Sequence, residues 1–288
     1  LLAQVAQHRQ PADAGIEDAD ETHGAIVSPL CYTHSMQTNQ LLDDCKWPPL
    51  TERYDRALRE AVHYILGRYQ PVGIIAAGSI LRGTGDAASD LDIYVIHLAP
   101  FRQRLQKFFN GVPAEIFVNP PAAVEGYFTS EQAAGRPITA HMLVHGFVIL
   151  DQHPVIEQLR QRAERLLASP PSLSDDQHIW KRYWASNLFE DAVDVAERDP
   201  QTAQIFLSQA VLAMLQYRFQ AAGHFIPRTK ELLVQLDVLD PPLGELARQF
   251  YASGDFATRL AAAGQMADLT LGVRGFFEWE SGDEMVGE

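Results

Sequence analysis

The sequence predicts an α/β domain followed by an all-helical bundle. Across residues 51–153, short apolar runs typical of strands alternate with segments whose apolar residues recur at helical spacing. From Pro154 onward the pattern is helical. A third observation marks the centre of the first part: a Gly-Ser turn is followed, about ten residues later, by two aspartates at alternate positions of a strand.

The first fifty residues show no sustained helical or strand period. Trp47-Pro48-Pro49 closes the segment, and acidic residues are scattered among small ones before it. We expect residues 1–50 to form a poorly ordered or wrapping N-terminal extension. Its cysteines, Cys31 and Cys45, have no metal-binding spacing, and two free thiols in a reduced cytoplasm are favoured over a disulfide.

The α/β domain is predicted over residues 51–153. It opens with a helix over 51–69, whose first residue is a good N-cap and whose apolar residues share one face. Three strands are predicted after it, over 72–77, 91–98 and 114–120.

The remaining elements of this domain are assigned from turn and cap residues. Pro100 is predicted to begin a helix that ends at Asn110-Gly111, with Phe101 and Phe108 facing inward. The residues 129–132 are expected to cap a short helix, and 146–151 to form the last strand.

The helical bundle is predicted over residues 154–275, followed by an acidic, frayed tail over 276–288. Ser174 and Gln177 have the spacing of a capping box, and Asp199-Pro200 is a strong start for the next helix. The predicted helices cover 155–167, 174–195, 201–222, 230–239, 243–252 and 255–266.

Charge and hydropathy limit the function classes. A net charge of −14 argues against a nucleic-acid partner, because phosphates require clustered Lys and Arg. No apolar run approaches the ~20 residues of a membrane span, so no membrane partner is expected. The N-terminus shows no basic region followed by an apolar core, which favours a cytoplasmic protein. The C-terminal half is acidic, which suits a cationic acceptor or only solubility.

Asp90 and Asp92 carry the clearest chemical signal. Side chains two residues apart on a strand share a face, so the two carboxylates lie side by side and repel each other when both are ionised. A divalent metal with oxygen ligands relieves that repulsion. Together with the small residues Gly78-Ser79, which allow backbone N–H groups to approach a phosphate, this arrangement suits phosphoryl or nucleotidyl transfer.

These residues resemble the signature of a known superfamily. Gly78-Ser79 followed by Ser89-Asp90-Leu91-Asp92-Ile93 is similar to the motif of DNA polymerase β-like nucleotidyltransferases, and most similar to that of streptomycin/spectinomycin-type adenylyltransferases and uncharacterised bacterial relatives with a C-terminal helical domain. The resemblance implies a small mixed sheet followed by a helical bundle. It also implies a third carboxylate on a later strand, for which Glu115 is the candidate.

The resemblance also implies roles for the motif residues. Asp90 and Asp92 would hold two Mg²⁺ ions. Glu115 would complete the metal site or act as general base toward the acceptor hydroxyl, and the base role is favoured. Ser79 would contact the terminal phosphates of ATP or another nucleoside triphosphate, with Gly78 permitting the approach. Ser89 would orient the metal site or serve only as a turn residue.

A cation from the helical half should offset the triphosphate charge. Lys230 is the candidate, because residues 223–230 resemble the Gly…Pro…Lys segment of the streptomycin/spectinomycin enzymes. The spacing here is two residues longer, which leaves Arg228 as an alternative. A lysine at a solvated helix start explains Lys230 equally well.

Several other polar and aromatic residues have both a functional and a structural interpretation. His141 and His145 have the spacing of a metal pair but lack a third ligand, so core or capping roles are favoured. Acidic residues of one helix could line a cleft for an amine-rich acceptor or form a solvated face, and nearby aromatic residues could stack on a base or form core: Glu190, Asp191, Asp194 and Glu197, with Trp180, Tyr183 and Trp184.

The leading hypothesis is a Mg²⁺-dependent adenylyltransferase that moves AMP from ATP to a hydroxyl of a small molecule, such as an aminoglycoside-type antibiotic, and releases pyrophosphate. One alternative is adenylylation of a protein partner, as in toxin-neutralising members of the superfamily. Another is a catalytically spent nucleotide-binding protein, which the intact set of three carboxylates opposes.

Overall fold

The computed structural model describes residues 40–170 and 172–282. The expectations for residues 1–39, including Cys31, and for the last six residues of the tail lie outside the described residues.

Within the described residues, five strands form one mixed sheet. They are β1 (Pro71–Ala77), β2 (Leu91–His97), β3 (Gln103–Phe109), β4 (Val112–Asn119) and β5 (Phe147–Asp151). Their spatial order is β3-β4-β2-β1-β5. The β2–β4 pair is parallel, and the β1–β2, β1–β5 and β3–β4 pairs are antiparallel. The prediction of an α/β half with a small mixed sheet is confirmed.

The predicted helix after Pro100 is wrong, because this segment is strand β3. It forms a hairpin with β4, closed by Asn110 (φ 45°) and Gly111 (φ 70°). Two consecutive positive φ values are typical of the tight turns that join antiparallel strands, and Asn-Gly favours them. Phe101 and Phe108 do not face inward as expected: they are 47% and 76% exposed.

Helices cover both faces of the sheet. Helix α1 (Glu52–Arg68) buries its apolar stripe against one face. Helices α2 (Pro121–Ala133), α3 (Ile138–His145) and α4 (Val155–Leu167) pack on the other. The predicted cap at 129–132 is wrong, since these residues lie inside α2 and Thr129 donates to the carbonyl of Glu125.

The alternation of side chains along the strands determines which residues face the site. In β2, Leu91, Ile93 and Val95 are buried on the α1 face. The intervening Asp92 and Tyr94 therefore point toward α2 and α3. Strand β4 alternates in the same way. The pairing register of β2 and β4 therefore determines both which side chains enter the core and which carboxylates lie side by side in the site.

A helical region with its own buried core follows. Its elements are α5 (Asp175–Val195), α6 (Pro200–Ala221), α7 (Leu232–Leu239), α8 (Pro241–Ala252) and α9 (Phe256–Thr270). The predicted capping box is confirmed: Gln177 N–H donates to the Ser174 hydroxyl, and Ser174 N–H donates to the Gln177 side chain. Asp199 caps α6 by accepting from the Thr202 N–H.

Two predicted boundaries in this region differ from the structure. Helix α7 begins at Leu232 with Glu231 as its N-cap, two residues after the start predicted at residue 230. Helix α8 begins at Pro241, after the N-cap Asp240, two residues before the start predicted at residue 243. Proline suits a first helical turn because its missing N–H would have no partner there.

Segments at both ends of the described chain pack against the domains. Residues 40–50 contribute Leu41 and Trp47 to the core beside α1, and Lys46 N–H donates to the Ile149 carbonyl at the β5 edge. Beyond α9, Trp279 lies against Trp180 and Tyr183, with ring centroids 4.9 and 5.2 Å apart. The frayed tail predicted from residue 276 is therefore anchored by aromatic contacts at least as far as Trp279.

The sheet domain and the helical region meet beside the α2–α3 turn. The N–H of Ile226, in the segment between α6 and α7, donates to the Gly135 carbonyl at 2.8 Å. Gly135 is buried with φ 69°, and a Cβ there would collide with the buried Gln220 side chain of α6. The positive φ and this contact together favour glycine at the junction.

No helix among the described residues has the length and apolar character to cross a membrane.

Candidate active site

Three carboxylates meet at one end of strands β2 and β4. Asp92 is the direct register partner of Glu115 in the parallel pair, and Asp90 precedes Asp92 by two residues. One oxygen from each of Asp90, Asp92 and Glu115 lies within 4.8 Å of the others. Among the described residues this is the one group of three or more potential ligands compact enough for a metal ion. The set predicted from sequence is therefore assembled.

The Gly-Ser turn lies directly against this cluster. Gly78 ends β1 with φ 94°, and a Cβ on it would approach the Asp92 Oδ2 atom to 2.7 Å. A side chain is excluded here both by the backbone conformation and by the carboxylate. The position thus requires glycine for the close approach that the motif implied.

Ser79 and Ser89 belong to one hydrogen-bond network in the loop between β1 and β2. The Ser79 hydroxyl donates to the Ser89 hydroxyl at 3.1 Å, and Asp86 N–H also donates to Ser89 at 2.9 Å. The Ser89 hydroxyl in turn donates to Asp86, which lowers the pKa of that carboxyl. Ser89 therefore fixes the loop, which supports its interpretation as a turn residue.

Within this cluster, Asp92 is the carboxyl group whose pKa is raised. Burial, followed by the neighbouring charges of Asp90 and Glu115, raises its pKa from 3.8 to about 6, although Arg82 and Arg228 oppose the rise. A buried carboxyl that resists ionisation beside two others is relieved by a cation. Hard carboxylate oxygens at this spacing fit Mg²⁺.

Glu115 is stabilised in its charged form by the hairpin that carries it. Arg104 of β3 donates to Glu115 Oε1 at 2.5 Å and Gln106 donates to the same oxygen at 3.2 Å. The Arg104 bond holds the pKa of Glu115 below its usual range. Both hydrogen bonds are accepted by Oε1. Among the described residues no side chain donates to Oε2, so this oxygen is available to bind a cation or accept a proton.

A cleft of about 930 Å³ opens in front of the carboxylates. The sheet face forms its floor, α2 and α3 form one wall, and the segment from Phe225 to Gln235 forms the other. Five arginines line it: Arg82, Arg102, Arg104, Arg136 and Arg228. A cleft with this concentration of guanidinium groups suits a polyphosphate.

The two candidate cations of the helical half occupy different positions. Arg228 lines the cleft, forms an ion pair with Glu231, and acts on the pKa of Asp92. Lys230 does not line the cleft, and its charge acts instead on Asp86 in the motif loop. The arrangement brings Arg228 nearer to the carboxylates.

His141 and His145 line the same cleft. Their ring centroids are 5.4 Å apart, and burial lowers the pKa of His141, with His145 adding to the effect. They are not part of the compact carboxylate group. Burial therefore favours the neutral form of His141 in the cleft.

The acidic and aromatic candidates of α5 lie elsewhere. None of them lines the cleft, and Trp180 and Trp184 are 45% and 59% exposed. The interpretation as a solvated face therefore fits the acidic residues better than a ligand-binding role.

Sequence reasoning missed several residues of the site. Tyr94 lines the cleft two residues after Asp92 on the same face, so the period of the strand could have identified it. Arg104 was assigned to a helix, and the Asn110-Gly111 pair was the signal for the hairpin that places it beside Glu115. Glu131 and Arg136 reach the cleft through tertiary packing that no local pattern indicates.

Comparisons with known proteins give limited similarity. No protein-family model and no curated protein sequence matches the chain. A solved structure from Exiguobacterium sibiricum, described as a nucleotidyltransferase-like protein, resembles it at 14% identity over 75% of this chain and 73% of that one, with a TM-score of 0.47. At this level of similarity, the residues of the cleft are the basis for assigning a function to the chain.

Proposed function

We propose that the protein is a Mg²⁺-dependent nucleotidyltransferase that transfers AMP from ATP to a hydroxyl group of a small molecule. The observation that supports this most strongly is the cluster of Asp90, Asp92 and Glu115 beside the Gly78-Ser79 turn, at the edge of an arginine-lined cleft. The carboxylates, the turn and the arginines each match one requirement of nucleotidyl transfer.

The carboxylates would hold the metal. Asp90 and Asp92 are the expected ligands of two Mg²⁺ ions, which when bound neutralise phosphate charge and lower the pKa of a coordinated hydroxyl. The high pKa of unliganded Asp92 indicates that this group gains from a cation.

Binding of the triphosphate would fall to the turn and the arginines. Gly78 leaves room for a phosphate beside Asp92, and Ser79 offers its N–H and hydroxyl. Arg82 and Arg228 line the same cleft as Asp92 and lower its pKa, so they are the candidate cations for the triphosphate. Lys230 is retained as a second contributor, because its charge acts on Asp86 in the motif loop.

Glu115 would act on the acceptor. Its ionised state at neutral pH, held by Arg104, leaves Oε2 able to take the hydroxyl proton. The acceptor oxygen then forms a bond to the α-phosphorus as the α–β phosphoanhydride bond breaks, and pyrophosphate leaves.

The test is transfer of label from α-labelled ATP and GTP with Mg²⁺ to a panel of hydroxylated small molecules. Asp92→Asn is the inactive control, and Asp151→Asn, an exposed aspartate outside the cleft, is the matched charge control. Label on a small molecule with the wild type and Asp151→Asn, but not with Asp92→Asn, supports the proposal.

Other outcomes contradict it. Label that appears only on acid-precipitated protein from a cell extract would assign the activity to a protein acceptor. Failure to bind Mg²⁺-ATP in equilibrium dialysis would rule out the nucleotidyltransferase assignment.

A further inference from the structure

The cleft contains a second group of polar side chains, away from the carboxylates. Tyr94 and Asn119 lie further along β2 and β4 than Asp92 and Glu115, on the same face. Two residues of strand span roughly 7 Å, so a small molecule that reaches Asp92 can also reach Tyr94.

Tyr94 is the unusual member of this group. It is 2% exposed, it lines the cleft, and its hydroxyl has no hydrogen-bond partner among the described residues. Thr139 and Asn119 are the polar side chains beside this hydroxyl and oppose the rise in the Tyr94 pKa that burial causes, but neither forms a hydrogen bond of normal geometry with it, and the Thr139 hydroxyl donates to Glu131 at 2.8 Å. Because a buried hydroxyl without a well-aligned partner is unfavourable, a ligand group that reached this atom from the cleft would gain a hydrogen bond.

The charges around Tyr94 indicate the nature of that ligand. Arg102 donates to the Tyr127 hydroxyl, and the N–H of Arg136 donates to the Glu131 carbonyl, so both belong to this end of the cleft. None of the ion pairs among described residues includes either arginine, and the Arg136 Nε atom is buried without a partner.

Glu131 does not neutralise these arginines directly. Its two carboxylate oxygens accept from the Thr139 N–H at 2.7 Å and hydroxyl at 2.8 Å. Two guanidinium groups and one carboxylate leave this end of the cleft with an excess of positive charge. A polycationic acceptor would meet repulsion here, whereas a carboxylate or phosphate would pair with the guanidinium fork.

We infer that this group, the acceptor pocket (Tyr94, Arg102, Asn119 and Arg136), binds the acceptor substrate, and that the acceptor is a hydroxylated small molecule bearing a carboxylate or phosphate. The inference rests on the proposed nucleotidyl transfer, since it places the acceptor hydroxyl toward Asp92 and Glu115 and the anionic group on Arg136. It replaces the expectation of an aminoglycoside acceptor.

The test measures binding to the full chain with the triphosphate end already occupied. Thermal unfolding is followed with saturating Mg²⁺ and α,β-methylene-ATP, which cannot be cleaved at the α–β position. The probes are gluconate, glucose 6-phosphate, glucose and kanamycin. Gluconate or glucose 6-phosphate should raise the unfolding temperature, and glucose and kanamycin should not.

Variants locate the effect. Arg136→Gln and Tyr94→Phe should each weaken binding of the anionic probe about tenfold or more, because a charge-assisted or buried hydrogen bond is lost. Arg136→Lys, which keeps the charge, should retain part of the affinity. Arg56→Gln, an exposed arginine on the opposite side of the sheet, is the control and should bind as the wild type does.

The failures of the two proposals are distinguishable. If the ATP analogue does not bind, nucleotidyl transfer itself is refuted. If the analogue binds but no anionic probe does, if kanamycin binds better, or if Arg136→Gln leaves probe affinity unchanged, the acceptor pocket is refuted alone. Competition between the analogue and an anionic probe would also refute it, because both would then occupy one subsite.

Discussion

Replacing Asp92 with asparagine should abolish transfer and yet stabilise the metal-free protein. In the folded chain the pKa of Asp92 is raised from 3.8 to about 6, first by burial and then by Asp90 and Glu115. A carboxyl whose pKa is raised by folding binds its proton more tightly in the folded state. Its contribution to stability is therefore present below pH 4 and is lost as the pH rises from about 4 through 6.

The size of this effect follows from the two pKa values. A difference of about 2 between folded and unfolded states, at 1.36 kcal/mol per pKa unit, gives about 3 kcal/mol of lost stability at pH 8. Asparagine carries no charge to bury, so Asp92→Asn should recover that amount. At roughly 2–4 °C per kcal/mol for a chain of this size, the unfolding temperature should rise on the order of 6–12 °C.

Thermal unfolding in EDTA at pH 8 and at pH 4 is the assay, with Asp151→Asn as the matched control. The variant's advantage should be large at pH 8 and small at pH 4, and Mg²⁺ should stabilise the wild type while leaving Asp92→Asn unchanged. An Asp92→Asn protein that is no more stable than the wild type at pH 8, or that Mg²⁺ still stabilises, would refute the assignment of Asp92 as a strained, buried metal ligand.

Three further substitutions distinguish residues needed for transfer from residues needed only for folding. Gly78→Ala should reduce transfer at least a hundredfold in the label assay and lower the free energy of unfolding in urea by about 1–3 kcal/mol. The reasons are that alanine is strained at φ 94° and that its Cβ would clash with Asp92. A fully active variant would contradict this prediction. Gly111→Ala, in the hairpin turn at φ 70°, should cost roughly 1–2 kcal/mol in the same unfolding experiment while transfer rates stay near wild type. Arg228→Gln should raise the KM for ATP about tenfold with a smaller change in kcat, measured by steady-state kinetics. An unchanged KM would favour Lys230 over Arg228 as the cation that binds the triphosphate.

Local patterns were enough to predict the parts of the fold that depend on local chemistry. The capping box at Ser174, the Asp199 cap and the apolar strands β1 and β2 were all indicated by short sequence signals. The carboxylates could be predicted because Asp90 and Asp92 share a strand face and a Gly-Ser turn precedes them.

Residues brought together by tertiary structure were beyond such signals. The aromatic and apolar spacing of residues 101–109 fits a helix as well as a strand, and the pairing with β4 decided the outcome. That one error also hid Arg104, whose contact with Glu115 exists only in the hairpin. Tyr94 and Arg136 acquire their shared environment through the packing of α2 and α3 onto the sheet, which no single segment encodes.

The buried Gly135 has a consequence for how substrate size could change in related chains. Its carbonyl receives the Ile226 N–H, and its missing side chain lets α6 approach through Gln220, so the two walls of the cleft are joined at this point. A larger residue there would strain the backbone at φ 69° and require the Gln220 side chain to move, directly beside Arg136 of the acceptor pocket. Selection for bulkier acceptors could therefore act on this junction, which is separate from the carboxylates, and leave their reaction intact.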